Sequence, residues 1–149
     1  MRRTSSSAAT TGRRMAPRIL IAVDGSEVSR RALERVARFM KEADVALVTV
    51  ARPIYRDPPY TGYADPADEE EQRRVLYAAR DVLERAEISA TGLAPVGDPA
   101  DEILKAARHF EAELIVIGAR SLGTVGRLVL GSVSTKVMHE ADCDVLIVK

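Results

Sequence analysis

The feature that most constrains this chain is an alternation of short apolar runs with longer stretches of helical periodicity. ILIAV (19–23), VALVTV (45–50), LIVI (114–117) and the closing VLIVK (145–149) are too short for stable helices and nearly lack a polar side. A strand that is apolar on both faces must be covered on both faces, as in a parallel sheet. Between these runs, Val28, Ala32, Leu33, Val36, Ala37 and Met40 recur at helical spacing, opposite Arg30, Arg31, Glu34, Arg35 and Arg38. A second stripe, Val75, Leu76, Ala79, Val82, Leu83 and Ala86, predicts a helix over 69–86, with acids in its first turn to suit the dipole. Residues 88–96 read as a weaker strand containing Gly92. Gly97-Asp98-Pro99 opens a third helix, with Asp98 as N-cap, Pro99 at the first helical position and Asp101 at the third. Ile103, Leu104, Ala107 and Phe110 form its inward face, and a fourth helix is expected over 132–140.

The order β-α-β-α-β-α-β-α-β predicts one α/β domain, a doubly wound five-stranded parallel sheet with helices on both faces. Such folds place ligands at the carboxyl ends of strands where the strand order reverses. The first and fourth strands are the expected neighbours at that point. Their ends deliver Ala22, Val23 and Asp24 on one side and Gly118 on the other.

The segment ELIVIGARSLGTVGRLVLGSVSTKV (113–137) has the layout of a phosphate cradle. A buried strand runs into Gly118, a glycine-bearing loop follows, and Gly131-Ser132 opens a helix. Glycine permits close backbone approach to an anion. A helix start supplies unpaired N–H groups, here those of Ser132, Val133 and Ser134, and the positive end of a dipole. Each residue also has a plainer role. Asp24 suits a ligand contact or a cap on the first helix, Gly118 a cradle or a turn, and Ser132 a phosphate site or an ordinary N-cap. Arg120 and Arg127 suit phosphate contacts or open solvent. Residues 51–66 carry Pro53, Pro58, Pro59, Gly62 and Pro66 and read as a loop. Its Tyr55, Tyr60 and Tyr63 suit a cover for a planar ring or local packing.

Charge and cysteine content narrow the partners. Of 22 basic side chains, five (Arg2, Arg3, Arg13, Arg14 and Arg18) lie in residues 1–18, which hold no acid. The remaining 131 residues hold 17 basic and 22 acidic side chains, a net of −5. An acidic body argues against nucleic acid as a partner. Residues 1–16 read as a disordered basic tail; they lack the apolar core of a secretory signal. No apolar run approaches the roughly 20 residues of a membrane helix. One cysteine, Cys143, allows no internal disulfide, fits a cytoplasmic setting and reads as a small buried filler. His109 and His139 do not combine with it into a metal set.

ILIAVDGSEVSRRAL, VGDPADEIL and IVIGARSLGTVGRLVLGSVSTKVMHEADCDVLIVK, in this order, resemble the universal stress protein family over residues 17–149. The resemblance implies strand order 3-2-1-4-5 and a homodimer joined through the last strand. One branch of that family binds ATP through Gly-x2-Gly-x9-Gly followed by Ser or Thr, and a second branch does not. Asp24 matches the aspartate near adenine and ribose, and Val50 the valine whose backbone reads the adenine edge. Gly118, Gly131 and Ser132 match the phosphate positions, and Ser134 the neighbouring hydroxyl. Ser121 stands where the second glycine belongs, while the spacer to Gly131 is intact. If that position needs a positive φ, serine there costs about 1–2 kcal/mol. The resemblance implies a regulatory, stress-response protein that binds ATP with Mg²⁺, or AMP or cyclic AMP. A dimeric interaction module without nucleotide is the alternative. A slow ATPase ranks third, because the chain has no P-loop lysine, no nucleophile–His–acid set and no second carboxylate paired with Asp24.

Overall fold

The computed structural model describes residues 16–54, 64–119 and 130–149. Nine elements follow in chain order: β1 (Arg18–Ala22), α1 (Glu27–Phe39), β2 (Asp44–Val48), α2 (Pro66–Glu84), β3 (Ala90–Leu93), α3 (Pro99–Phe110), β4 (Leu114–Gly118), α4 (Ser132–Glu140) and β5 (Asp144–Val148). The five strands form one parallel sheet in the order β3-β2-β1-β4-β5. This is the expected architecture and strand order.

Adjacent strand residues point to opposite faces, so each apolar run feeds two cores. Ile19, Ile21, Val45, Leu47 and Val116 pack with Leu33 and Val36 of α1 and Val75 and Leu83 of α2. Leu20, Ala46, Val48, Ile115 and Ile117 pack with Ile103 and Leu104 of α3 and Val137 of α4. Leu20, Ile21, Leu47, Ile115 and Val116 are wholly buried. That double coverage is why the runs carry almost no polar residue.

Several boundaries differ from the sequence reading, each for a local reason. Pro66 is not a loop breaker but the first residue of α2: Asp65 caps the helix, its Oδ1 accepting from the Ala67 N–H at 2.8 Å. The chain stays aligned past β2 and β3 but loses regular pairing. Thr49 donates its N–H to the Leu93 carbonyl, and Ala51 pairs with Val96, yet Pro95 between them has no N–H to give. The expected strand over 88–96 therefore stops at Leu93; at its start Ile88, a buried core residue, still donates its N–H to the Leu83 carbonyl at the end of α2, and four residues of strand remain. Residues 1–15 of the expected tail 1–16, residues 55–63 with their three tyrosines, and residues 120–129 lie outside the described residues. No helix among the described residues is long and apolar enough to cross a membrane.

The end of β4 passes directly under α1. A Cβ added to Gly118 would lie 2.8 Å from Val28 Cγ1, 3.0 Å from the Val28 carbonyl carbon and 3.2 Å from the Ser29 nitrogen. Its glycine is required by this strand–helix approach before any ligand is considered. Gly118→Ala is expected to destabilise the fold by about 1–3 kcal/mol through overpacking. Urea denaturation reads this as a lower midpoint with unchanged slope. A second change, Val28→Ala, should recover only part of the loss, because the backbone contacts remain.

Candidate functional site

A cleft of about 350 Å³ opens at the carboxyl ends of β1 and β4. Its first wall is the end of β1. Val23 extends the strand by one bond, its N–H donating to the Val48 carbonyl at 2.9 Å, and Asp24 then reaches the exposed rim. Asp24 does not cap α1. Its Oδ1 accepts from the Ser26 N–H at 3.0 Å, closing a tight turn in which Gly25 adopts φ +77°. The N-cap is Ser26, whose Oγ accepts from the Ser29 N–H at 3.2 Å.

The second wall is the start of α4. Gly131 is the N-cap and offers no side chain to the first-turn amides. Ser132 is therefore not the cap but the first helical residue, and its side chain is exposed. Ser134 is buried and donates its hydroxyl to the Gly131 carbonyl at 3.0 Å. Helices α1, α2 and α3 are each capped by their own Ser26, Asp65 or Asp98 side chain. Gly131, Ser132, Val133 and Ser134 all line the cleft.

The third wall is the continuation of β2. Thr49 and Ala51 turn their N–H groups toward the β3 side, to the Leu93 and Pro95 carbonyls at 3.0 and 3.1 Å. Backbone groups alternate sides along an extended chain. The N–H and C=O of Val50 therefore face the opposite edge, beyond the point where β1 has ended. Val50 lines the cleft there.

Nine residues singled out from the sequence line this one cavity: Ala22, Val23, Asp24, Val50, Gly118, Gly131, Ser132, Val133 and Ser134. Arg120, Ser121 and Arg127 lie outside the described residues. Sequence reasoning missed Ser26, Ser29, Thr49, Arg52, Pro99 and Ile103, which also line it. Ser26 was visible beside Asp24-Gly25, and Pro99 beside its cap. Arg52 had no local signature: it follows β2 in an irregular stretch, yet lines the cleft.

The charges around the cleft are organised by α3 and α4. Lys136 of α4 meets Asp101 at 2.6 Å and Asp98 at 3.7 Å, at the start of α3. The Asp101 N–H holds the Asp98 carboxyl below its ordinary value of 3.8; burial opposes this, and the charges of Lys136 and Arg52 lower it further by less. Hydrogen bonding to Asp101 raises Lys136. Among the described residues no group of three or more His, Cys, Asp or Glu side chains is placed to hold a metal ion. Cys143 is only half-buried, correcting its reading as a buried filler. It lies at the opposite end of the sheet, where burial pushes its thiol up.

Fold and cleft together define a doubly wound α/β domain with its crevice at the reversal of strand order, the position where such domains take ligands. The chain belongs to the universal stress protein family, whose sequence profile matches residues 15–149. It is 42% identical over 138 residues to a universal stress protein of Thermus aquaticus, covering 88% of this chain and 97% of that one. A universal stress protein structure from Archaeoglobus fulgidus superposes with a TM-score of 0.72 at 26% identity, covering 91% of this chain and 95% of that one. A universal stress protein in complex with cAMP superposes with a TM-score of 0.71 at 26% identity, covering 91% and 98%.

Asp98 supplies a pH test of this frame. Its carboxyl is depressed in the folded state, so its stabilisation is complete above the ordinary value and is lost as pH falls through the depressed one. Asp98→Ala should melt below the wild-type protein at neutral pH. The gap should close below about pH 4 as the wild-type carboxyl takes up its proton. Thermal melts across this range decide it; a gap that persists unchanged in acid contradicts the cap.

Proposed function

We propose that the chain is a nucleotide-binding regulatory protein of its family and that ATP is its ligand, with AMP or cyclic AMP as smaller occupants. One observation carries the reading. The uncapped first turn of α4, the Asp24 turn and the outward backbone edge of Val50 share one cleft. Those three features complement a phosphate chain, a ribose and a purine edge respectively. Amides at a helix start bind anions. Asp24 accepts hydrogen bonds from ribose hydroxyls. The N–H and C=O of one residue on a strand edge match the acceptor and donor of the adenine edge. The cavity, about 350 Å³, falls within the usual range for small-molecule sites. The cAMP complex of a relative supports the nucleotide class.

Mg²⁺ would accompany a triphosphate through phosphate oxygens and water, since the described residues supply no ligand cluster of their own. We read the ligand as acting by occupancy rather than by turnover, on the sequence grounds that the chain has no P-loop lysine and no nucleophile–His–acid set. Catalysis of phosphoryl transfer needs a positioned water-orienting group and charge clamp. ATP binding is tested by titrating the purified protein calorimetrically and by chromatographing nucleotide released on heat denaturation. Saturable heat with ATP and weaker binding by Asp24→Ala are expected. No released nucleotide and no heat at millimolar ATP sinks the reading. Ser121→Gly tests the departure from the glycine motif: about tenfold tighter binding is expected if the serine is strained.

We also propose that two copies pair through β5. It is an edge strand, and an unpaired apolar edge invites another chain. Leu146, on this strand, is 37% exposed. Val145 and Ile147 pack inward with the α3 and α4 core, so Leu146 is the better probe. Leu146→Lys should shift the sedimentation profile from dimer to monomer while leaving the melting temperature of dilute protein nearly unchanged. A dimer that survives this change rules out the β5 edge.

A further inference from the structure

Gln72 is one of only four buried polar or charged residues among those described, and its side chain spans two segments far from it in sequence. It lies on α2, with 6% of its surface exposed. Its Nε2 donates to the Thr49 carbonyl at 3.1 Å and to the Pro95 carbonyl at 3.0 Å. The reason for this pair of bonds lies in the ladder between β2 and β3. Val48 sits opposite Leu93 and Ala51 opposite Val96, so the register continues without slippage through residues 49–51 and 94–96.

In that parallel register the Thr49 N–H donates to the Leu93 carbonyl, and the N–H of residue 95 should return to the Thr49 carbonyl. Residue 95 is proline and has no N–H. The Thr49 carbonyl is therefore orphaned inside the protein, and a buried acceptor without a donor is costly. Gln72 restores the missing donor from outside the ladder. Its second proton goes to the Pro95 carbonyl, which also accepts from the Ala51 N–H at 3.1 Å. One side-chain amide thus bridges the two chains on either side of Val50.

We propose that Gln72 is a positioning residue for the base end of the cleft: its amide replaces the ladder N–H that Pro95 lacks and holds residues 49–51 in the register that presents the Val50 backbone to a purine. The inference rests on the nucleotide reading above. A neighbouring contact supports the same role for this part of α2. Val75, three residues on, would lie 3.2 Å from a Cβ at Gly25, so the same helix face braces the Asp24 turn. The base end of the site is held from beneath by one helix.

Three measurements test the assignment. Gln72→Leu keeps the volume and removes the donor; Gln72→Asn, with a retracted amide, replaces it if the leucine variant fails to fold. Binding of ATP, GTP and inorganic tripolyphosphate is compared by calorimetry. The variant should lose about tenfold in ATP affinity, the scale of one buried hydrogen bond, and lose preference for ATP over GTP. Tripolyphosphate binding should stay unchanged, because α4 is untouched. Pro95→Ala in the Gln72→Leu background returns a backbone N–H to the ladder and should restore most of the ATP affinity. A general loss of stability would weaken all three probes alike and would not be rescued by removing a proline.

Hydrogen exchange of the Ala51 amide is followed in the ligand-free proteins. It should be about tenfold faster in Gln72→Leu and slow again in the double variant, with the β1 and β4 amides unchanged. Equal ATP affinity and equal selectivity in wild type and Gln72→Leu overturn the proposal. If the wild-type protein binds none of the three probes, the nucleotide reading falls by itself. Exchange at Ala51 then decides the role of Gln72, and exchange unaltered by Gln72→Leu overturns it.

Discussion

The parallel pairing of β1 with β4 is the constraint on which the rest of the molecule depends. Ile19, Leu20 and Ile21 lie beside Leu114, Ile115 and Val116, while β2 occupies the other edge of β1. The chain leaves β1 for α1, on one face of the sheet, and leaves β4 toward α4, on the other. Two connections that part to opposite faces leave a crevice between them. The cleft is a consequence of topology, and its lining is decided by which residues stand at the strand ends. Gly118 lets β4 finish beneath the first turn of α1, with no side chain to push the two apart.

The cleft also differs electrostatically from the other helix starts. Ser26, Asp65 and Asp98 satisfy the first turns of α1, α2 and α3 from within. The first turn of α4 follows Gly131, which has no side chain to offer. An acid at that cap would occupy the amides and repel an anion at once. Lys136 adds to this arrangement from the next turn. By pairing with Asp101 and Asp98 it limits the negative field that the start of α3 would otherwise cast toward the cleft.

The β2–β3 side shows how an interruption in regular structure can be made stable. Pro95 ends the ladder that would have continued through the site, and Gln72 supplies the donor that the proline removed. Regular pairing resumes for one bridge at Ala51 and Val96. The stretch between stays straight enough to serve as a wall without being a full strand. Surface ion pairs such as Arg30 with Glu27 and Arg73 with Glu70 are exposed and contribute little by comparison.

Much of this is legible in the sequence. Unbroken apolar runs require two covered faces, so ILIAV, VALVTV and LIVI implied a parallel sheet between helices. The cap at Asp98-Pro99 was placed correctly because capping is local: the residues that form it adjoin in sequence. Asp65-Pro66 carries the same pattern but closes a proline-rich stretch, where a proline reads as a breaker rather than as a helix start. What the chain alone could not provide were relations between distant residues. That Gly118 is crowded by Val28, that Arg52 reaches the rim, and that Gln72 reaches the Thr49 and Pro95 carbonyls, both 23 residues away, depend on how the helices settle on the sheet. Local sequence determines which residues can cap, or, like Pro95, cannot donate; only the tertiary pairing of strands and the packing of helices decide which groups those residues meet.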